Sequence, residues 1–388
     1  MDRNQFMLLS FLTELLKADK INANEFAALN MDELCKLSAL HGLNTVIFPV
    51  VNDCFVDNDS YKKLLQVWRL TTLKSSIFNI LFLQQIDILS KSFEEEKLSL
   101  IMIKGLAIAR FYKNPELRCM SDLDILVMDS EWEKAKEVLV NLGYNQCEDE
   151  DYNPLHVCFE KKGTLSVELH RRLIHSGYLG YREDDKWYNH IWRNKKYISY
   201  LNQLAIYVMS EEDELIHQVT HFASHFVYIG TRLKHIFEMA LIIKSFEDKL
   251  DWHYIESTLN DMGFLKFGEL LFSVCETFFK VKVPLDIMSI KKAVRIQFMD
   301  DLLNRFSFDE SKGGFRGWIN VVGKYRYVFK HPILQPVAWA VEVHSQFKMN
   351  GIKIPLVIKN SIRNIRTINK KLYTIRNFGL KGNKKAGL

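Results

Sequence analysis

The sequence predicts an α+β protein in which a small mixed β-sheet core is flanked by an N-terminal and a C-terminal helical domain. Short apolar runs at residues 101–103, 123–127, 156–159 and 165–169 have the length of buried strands. Elsewhere, apolar residues recur every three or four positions, which is the spacing of one helix face. The 388 residues contain only 7 prolines and 17 glycines, and this scarcity favours helices over long flexible linkers.

These patterns divide the chain into four predicted parts. Helices occupy residues 1–97, the β-sheet core spans 98–175, a second helical domain spans 176–345, and a basic tail covers 346–388. The last helix before the core has a long stripe of large side chains, which predicts that this face lies on the sheet. The stripe consists of Ile77, Ile80, Leu81, Leu83, Gln84 and Ile88.

Cysteine usage and hydropathy bear on the compartment. Six cysteines form no Cys-x-x-Cys pair, and the first residues are too charged for a secretory signal. No apolar run approaches the length needed to span a bilayer. We therefore predict reduced thiols and a cytoplasmic location.

The tail has its own charge pattern. After Glu342 there are eleven lysines and arginines and no acidic residue, although the whole chain carries a net charge of only +5. Because these basic residues alternate with Ile and Leu, the tail is typical of an amphipathic helix on an anionic membrane surface, and a solvated end is the alternative. The remainder of the chain is net acidic and has no recognition motif, so a nucleic-acid partner is not expected.

The chemistry is concentrated in residues 100–128. A buried strand ends at Lys104-Gly105, and a second buried strand contains Asp122 and Asp124. Since strand side chains alternate between faces, the two carboxylates point to the same side. Their mutual repulsion favours a divalent cation such as Mg²⁺, with a chance Asp-x-Asp on a surface strand as the alternative.

Four residues, Glu168, Arg118, Lys104 and His170, extend this cluster toward phosphate chemistry. Glu168 lies between apolar neighbours in a later strand, where it either joins the aspartates or faces water. Arg118 has the guanidinium group that binds phosphate with two hydrogen bonds, and a salt bridge to Asp122 or Asp124 is the alternative. Lys104 either supplies a point charge to phosphate or is a surface lysine at a strand end. His170 shares the face of Glu168 and either positions an acceptor or makes a structural hydrogen bond.

A later helix carries three histidines at four-residue steps, His217, His221 and His225. Ser210 precedes this helix and is predicted to cap its start. The histidine spacing is compatible with a zinc site. Because Gln218 replaces the glutamate of zinc proteases, we favour instead a polar face that contacts phosphate or acceptor through residues such as His221 and His225.

The order of these motifs resembles the uncharacterised bacterial nucleotidyltransferase family of the polymerase-β-like superfamily. The resemblance covers about residues 75–250. The matching residues are Lys104, Gly105, Tyr112, Pro115, Arg118, Ser121, Asp122, Asp124 and Val167–His170. The usual Gly-Ser turn of the superfamily is replaced by Lys104-Gly105, as in this family and in nucleotidyltransferase toxins of abortive-infection systems.

The resemblance implies a Mg²⁺-dependent enzyme that moves a nucleoside monophosphate from a nucleoside triphosphate to a peptide, sugar or other small acceptor. Asp122, Asp124 and Glu168 would hold two ions, Mg²⁺ or Mn²⁺, and act in catalysis. The nucleotide-binding residues would be Lys104, Gly105, Arg118 and Ser121. Two alternatives stay open: a toxin-like enzyme that modifies tRNA or protein, and a non-catalytic nucleotide-binding or scaffold protein.

Overall fold

The structure, a computed structural model, describes residues 1–17, 30–147, 155–174, 185–200, 204–228, 231–284 and 290–304. The predicted basic tail at 346–388 lies outside these residues, as does the stretch that links it to the helices. Among the described helices, none is long and apolar enough to cross a membrane. None of the six cysteines, all of which lie in described segments, forms a disulfide.

The N-terminal part is helical, as predicted. Its helices are α1 (Arg3–Lys17), α2 (Met31–Leu40), α3 (Asn44–Phe55) and α4 (Lys62–Glu95). Asn30 caps α2, because its side chain accepts a hydrogen bond from the backbone N–H of Glu33. Gln85 joins α4 to the sheet: its amide group donates to the Tyr144 hydroxyl and bonds both backbone groups of Leu165 at 2.8–2.9 Å.

A seven-stranded mixed sheet forms the centre of the protein, which confirms the predicted fold class. Its strands are β1 (Leu100–Ile103), β2 (Asp122–Val127), β3 (Asn145–Gln146), β4 (His156–Glu160), β5 (Ser166–His170), β6 (Lys196–Tyr200) and β7 (Leu204–Val208). Their order is β3-β4-β5-β2-β1-β7-β6. The pairs β2–β5 and β1–β7 are parallel, and the other neighbours are antiparallel. The four strands predicted from apolar runs are confirmed, and β6 and β7 extend the sheet beyond residue 175.

The two faces of the sheet have different roles. On one face, Met102, Ile125, Val167 and Leu169 belong to a fully buried apolar cluster. This cluster includes residues of α4 and of α6 (Trp132–Asn141), which are therefore the helices that cover this side. Because strand side chains alternate, residues 122, 124, 168 and 170 belong to the opposite face.

The predicted contact face of α4 is wrong. Ile77, Ile80, Leu81 and Ile88 are each more than half exposed, and the buried side is instead formed by residues such as Trp68, Ile86, Leu89 and Phe93. The stripe chosen from the sequence and the true contact face are both apolar. Periodicity alone could not decide which of them lies on the sheet.

The C-terminal part is also helical. It contains α7 (Asp185–Asn194), α8 (Glu211–Tyr228), α9 (Leu233–Ser245), α10 (Trp252–Met262), α11 (Leu265–Phe279) and α12 (Lys292–Asn304). Ser210 caps α8 as predicted, because its Oγ accepts the backbone N–H of Asp213 at 3.1 Å. The fully buried Asp213 carboxylate also accepts from Trp187 at 2.9 Å and from Tyr254 at 2.7 Å, and it thereby ties α7 and α10 to α8.

Candidate nucleotidyltransferase site

The site begins where β1 ends. All four residues of β1 are buried, and the next residue, Lys104, has φ +51° and ψ −117°. A lysine in this left-handed region is strained, and such strain is concentrated at functional sites. The helix α5 (Gly105–Ala109) starts immediately afterwards. The Lys104 side chain reaches back over the sheet, and its Nζ lies 2.6 Å from Oδ1 of Asp124 and 3.5 Å from Oε2 of Glu168.

Strand register brings the predicted carboxylates together. In the parallel pairing of β2 with β5, Asp124 is the direct partner of Glu168, and Asp122 is paired with Ser166. Asp124 is buried, with 3% exposure, whereas Asp122 and Glu168 are partly open to solvent. The structure therefore converges three acidic residues on one face beside Lys104, as the sequence predicted. Their catalytic and metal-binding roles stay predictions.

The electrostatics of this cluster are dominated by burial and by one ammonium group. Burial, followed by repulsion from Asp124 and Glu168, raises the pKa of Asp122. Burial would also raise the pKa values of Asp124 and Glu168. The ammonium of Lys104 and the hydrogen-bonding ring of His170 outweigh it and hold both pKa values low. Burial would lower the pKa of Lys104, but the two carboxylates raise it. The site thus keeps Asp124 and Glu168 ionised around an internal cation.

Two histidines complete the cluster. His170, predicted from its position two residues after Glu168, lies with Nε2 3.0 Å from Oδ1 of Asp124 and 3.3 Å from Oε2 of Glu168. His156, which the sequence analysis missed, is paired with His170 across β4 and β5, and its Nε2 lies 3.8 Å from the same Glu168 oxygen. Burial lowers the pKa of His156 to about 4, so its ring is neutral near pH 7. The hairpin register, counted outward from the turn at Gly163, was the signal that could have identified it.

The structure places Gly105 and Ser121 at the rim of this cluster. Ser121 is exposed, and its Oγ donates to Oδ1 of Asp122 at 3.0 Å. At Gly105, an added Cβ would meet its nearest neighbours, Arg118, Asp122 and Met120, at 3.6–3.8 Å. These are ordinary contacts, so the described fold leaves room for a methyl group there. The role of Gly105 and Ser121 in binding nucleotide stays a prediction.

Arg118 has a different partner from either one predicted. Its Nε donates to Oε1 of Glu238 on α9 at 2.8 Å, and the Tyr112 hydroxyl donates to the same oxygen at 2.9 Å. Both charged side chains are almost fully buried. Burial alone would lower the pKa of Arg118, but Glu238 raises it. The alternative of a salt bridge to Asp122 or Asp124 is wrong, because the ion pair that Arg118 makes in the described part of the chain is with Glu238. The predicted role of Arg118 in binding phosphate stays a prediction.

The α8 histidines are only partly described. His217 is buried, and burial, followed by the charges of Lys104 and His170, lowers its pKa to about 3. His221 is half-buried, with its ring 5.6 Å from that of His217 and 5.9 Å from that of His235. The His225 side chain lies outside the described part. Within the described ranges, His217 and His221 belong to no group of ligand atoms close enough to share one ion.

The fold, the site and a family match together define the class of protein. One mixed sheet carries Asp-x-Asp on β2 and a glutamate on the adjacent parallel strand β5. Residues 27–280 match the family described as "Uncharacterised nucleotidyltransferase", and the chain belongs to this family.

Three solved structures also match part of the chain, at 12–16% identity. The antibiotic-resistance factor ANT(2'')-Ia is 15% identical, with a TM-score of 0.33, over 45% of this chain and 87% of its own. The lincosamide antibiotic adenylyltransferase LnuA, solved with lincomycin bound, is 16% identical, with a TM-score of 0.29, over 41% and 94%. An antigenic nucleotidyltransferase-like protein from Paracoccidioides brasiliensis is 12% identical, with a TM-score of 0.31, over 53% and 94%. No curated protein matches the chain.

Proposed function

We propose that the protein transfers a nucleoside monophosphate from a nucleoside triphosphate to a small acceptor and releases pyrophosphate, with Mg²⁺ as cofactor. One observation carries this proposal: Asp122, Asp124 and Glu168 share one face of the sheet, with the Lys104 ammonium between two of them. Family membership supports nucleotidyl transfer as the reaction class. The acceptor class, a peptide or a sugar, rests on the resemblance described above.

The donor set fits a divalent cation. Three carboxylates offer oxygen atoms, which are the ligands that Mg²⁺ prefers, and Asp124 and Glu168 are already ionised beside a positive charge. Two ions held by Asp122, Asp124 and Glu168 would activate the acceptor hydroxyl and neutralise charge on the triphosphate. For them to bind, the Lys104 ammonium must leave the two carboxylates that it contacts in the structure.

The residues of the chain then have separate tasks. In the proposed reaction Lys104 turns from the carboxylates to the phosphates, where its charge stabilises the developing pyrophosphate. The acceptor oxygen forms a bond to the α-phosphorus as the bond from that phosphorus to the bridging oxygen breaks. Glu168 accepts the acceptor proton. In the structure the hydrogen bond with His170 and the charge of Lys104 both hold the pKa of Glu168 low.

The acceptor is identified by labelling. The full-length protein is incubated with each α-labelled nucleoside triphosphate, Mg²⁺ and a lysate, and the labelled species is identified. Asp124→Asn, which keeps the volume of the buried side chain, should abolish labelling, while Asp129→Asn on the surface should not. Labelling of tRNA or protein would select the toxin-like alternative. An Asp124→Asn protein that labels acceptor at the wild-type rate would refute the proposal.

The cellular setting is also proposed. We place the protein in the cytoplasm, with its basic tail lying on anionic membrane surfaces. The support is the charge pattern of residues 346–388. Flotation with anionic vesicles should recover the full chain and not a variant that ends at residue 350. Equal recovery of the full chain and the shortened variant would contradict the proposed binding of the tail to membranes.

A further inference from the structure

Three potential ligand atoms lie close together next to the buried Asp124. They belong to His156, His170 and Glu168. Glu168 Oε2 lies 3.8 Å from the His156 nitrogen and 3.3 Å from the His170 nitrogen, and the His170 nitrogen lies 3.0 Å from the Asp124 oxygen. The ligand atoms of His156, Glu168 and His170 all lie within 4.8 Å of one another.

These separations suit a first-row transition metal. Bonds of about 2.0–2.2 Å from an ion to nitrogen and oxygen place neighbouring ligands about 3–3.6 Å apart. Strand pairing holds the atoms in place, because His156 and His170 are register partners in the β4–β5 hairpin and Glu168 lies two residues before His170. The site is also accessible, since the side chains of His156 and Glu168 are about one-quarter exposed.

The chemistry of the ligands discriminates between ions. Imidazole nitrogen suits Zn²⁺ and carboxylate oxygen suits Mn²⁺, whereas Mg²⁺ prefers an all-oxygen octahedron. We propose that His156, Glu168 and His170 hold a first-row transition-metal ion such as Mn²⁺ or Zn²⁺. The inference rests on the proposed function only in naming the ion at one of its two metal positions. Asp122 and Asp124 would remain for the ion that accompanies the nucleotide.

Lys104 competes with this ion. Its Nζ already lies 2.6 Å from Asp124 Oδ1 and 3.5 Å from Glu168 Oε2, and the Glu168 oxygen is one of the three ligand atoms. An ammonium and a divalent ion so close together repel each other. Metal binding therefore displaces Lys104, and removal of its charge should tighten metal binding.

Calorimetric titration of the chelator-stripped full chain with Mn²⁺, Zn²⁺ and Mg²⁺ tests this site without nucleotide. We expect Mn²⁺ or Zn²⁺ to bind at least tenfold more tightly than Mg²⁺. His156→Ala should weaken that binding at least tenfold, Lys104→Met should strengthen it, and His253→Ala, an exposed histidine on α10, should change nothing. His156→Gln serves as a second variant if the alanine protein does not fold. The proposal would be overturned if neither Mn²⁺ nor Zn²⁺ bound more tightly than Mg²⁺, or if both His156 variants bound the tighter ion with wild-type affinity.

The proposed function can fail separately. If Mn²⁺ binds through His156 but no triphosphate is turned over with any ion, the metal site stands and the transferase proposal fails. If Mg²⁺ supports turnover and the His156 variants alter neither metal binding nor turnover, only the metal site fails.

A second, independent observation concerns the outer side of α4. Its exposed large side chains, together with two polar residues, follow the alternating three- and four-residue spacing of a coiled-coil seam. The seam consists of Val67, Leu70, Lys74, Ile77, Leu81, Gln84 and Ile88, and its five apolar members are 53–59% exposed. It is about 32 Å long. Soluble monomers rarely expose an apolar face of this length without a partner.

The charges of α4 indicate which partner fits. Residues 62–78 contain four basic and no acidic residues, whereas residues 79–95 contain three acidic residues and one lysine. An antiparallel copy of the same helix would place the basic half of each against the acidic half of the other. We infer that α4 pairs antiparallel with α4 of a second copy of this chain, in a twofold-symmetric contact centred near Ile77.

Light scattering and cysteine cross-linking test the pairing. We expect the full chain to be dimeric and Leu81→Glu to be monomeric. Val140→Glu, which replaces an exposed apolar residue on α6, should leave the dimer intact. Val67→Cys/Ile88→Cys should cross-link on oxidation, and Val67→Cys alone should not. A monomeric full chain, a dimeric Leu81→Glu protein, or cross-linking of Val67→Cys alone, which indicates parallel helices, would each refute the inference.

Discussion

Replacement of Arg118 by methionine decides between two roles for this residue. The sequence predicts a phosphate ligand, whereas the structure pairs Arg118 with Glu238 at 2.8 Å in a nearly fully buried site. Methionine keeps much of the side-chain volume. It leaves the Glu238 carboxylate buried, with the Tyr112 hydroxyl as its remaining hydrogen-bond donor in the described part of the chain. Loss of one partner of a buried ion pair costs about 3–5 kcal/mol, so we expect the free energy of unfolding to fall by that amount.

The double variant Arg118→Met/Glu238→Gln supplies the matched test. Glutamine still accepts the Tyr112 hydrogen bond and carries no charge, so the second change should recover most of the loss and leave a deficit of about 1–2 kcal/mol. Urea denaturation measures each midpoint. Arg193→Met on the surface of α7 is the control, with an expected change within about 0.5 kcal/mol. Triphosphate affinity of the folded proteins is measured in parallel and should stay near that of wild type.

The opposite result would refute this reasoning. If Arg118→Met unfolds at the wild-type midpoint and binds triphosphate much more weakly, the arginine binds phosphate and its ion pair with Glu238 contributes little to stability. If the double variant is no more stable than the single one, the cost does not come from an unpaired Glu238 charge.

Three further predictions concern binding, pH dependence and packing. Gly105→Ala should keep wild-type stability, since the added methyl group meets only ordinary contacts, yet weaken triphosphate binding at least tenfold. Gly143→Ala, at φ +85°, should instead lose about 1 kcal/mol of stability and bind triphosphate normally. Thermal unfolding and calorimetric titration measure the two effects, and the reverse pattern would contradict the prediction. Burial raises the pKa of Glu214 to about 7, so the folded protein binds this proton more tightly than the unfolded chain and loses stability as pH rises from about 4.5 to 7. Glu214→Gln should abolish that loss, which is on the order of 3 kcal/mol. The variant should therefore be more stable than wild type at pH 8 but not at pH 4.5. Urea titrations that give the same stability difference between variant and wild type at both pH values would contradict this prediction. Gln85→Leu should lower the free energy of unfolding by about 1–3 kcal/mol for each buried polar group that loses its partner. Gln84→Leu, on the exposed side of α4, should leave the unfolding midpoint near that of wild type.

Residues that are close in sequence were largely predictable. The apolar runs predicted four strands of the sheet, and Ser210 was identified as a helix cap from its local pattern. The common face of Asp122 and Asp124 follows from the alternation of side chains along one strand, which depends on no other part of the chain. The position of Lys104 at the end of β1 was likewise predictable from the apolar run that precedes Lys104-Gly105.

Contacts between residues that are distant in sequence could not be predicted in this way. Arg118 bonds Glu238 across 120 positions, and only the packing of α9 against the core creates that pair. His156 joins the site through the register of a hairpin, and α4 buries one of two apolar stripes according to which neighbours it meets. The sequence by itself determined the local elements and the order of the acidic motif, because strand alternation and helix periodicity are short-range properties. Tertiary structure alone decided which charges meet, because burial and strand register depend on contacts between segments far apart in the chain.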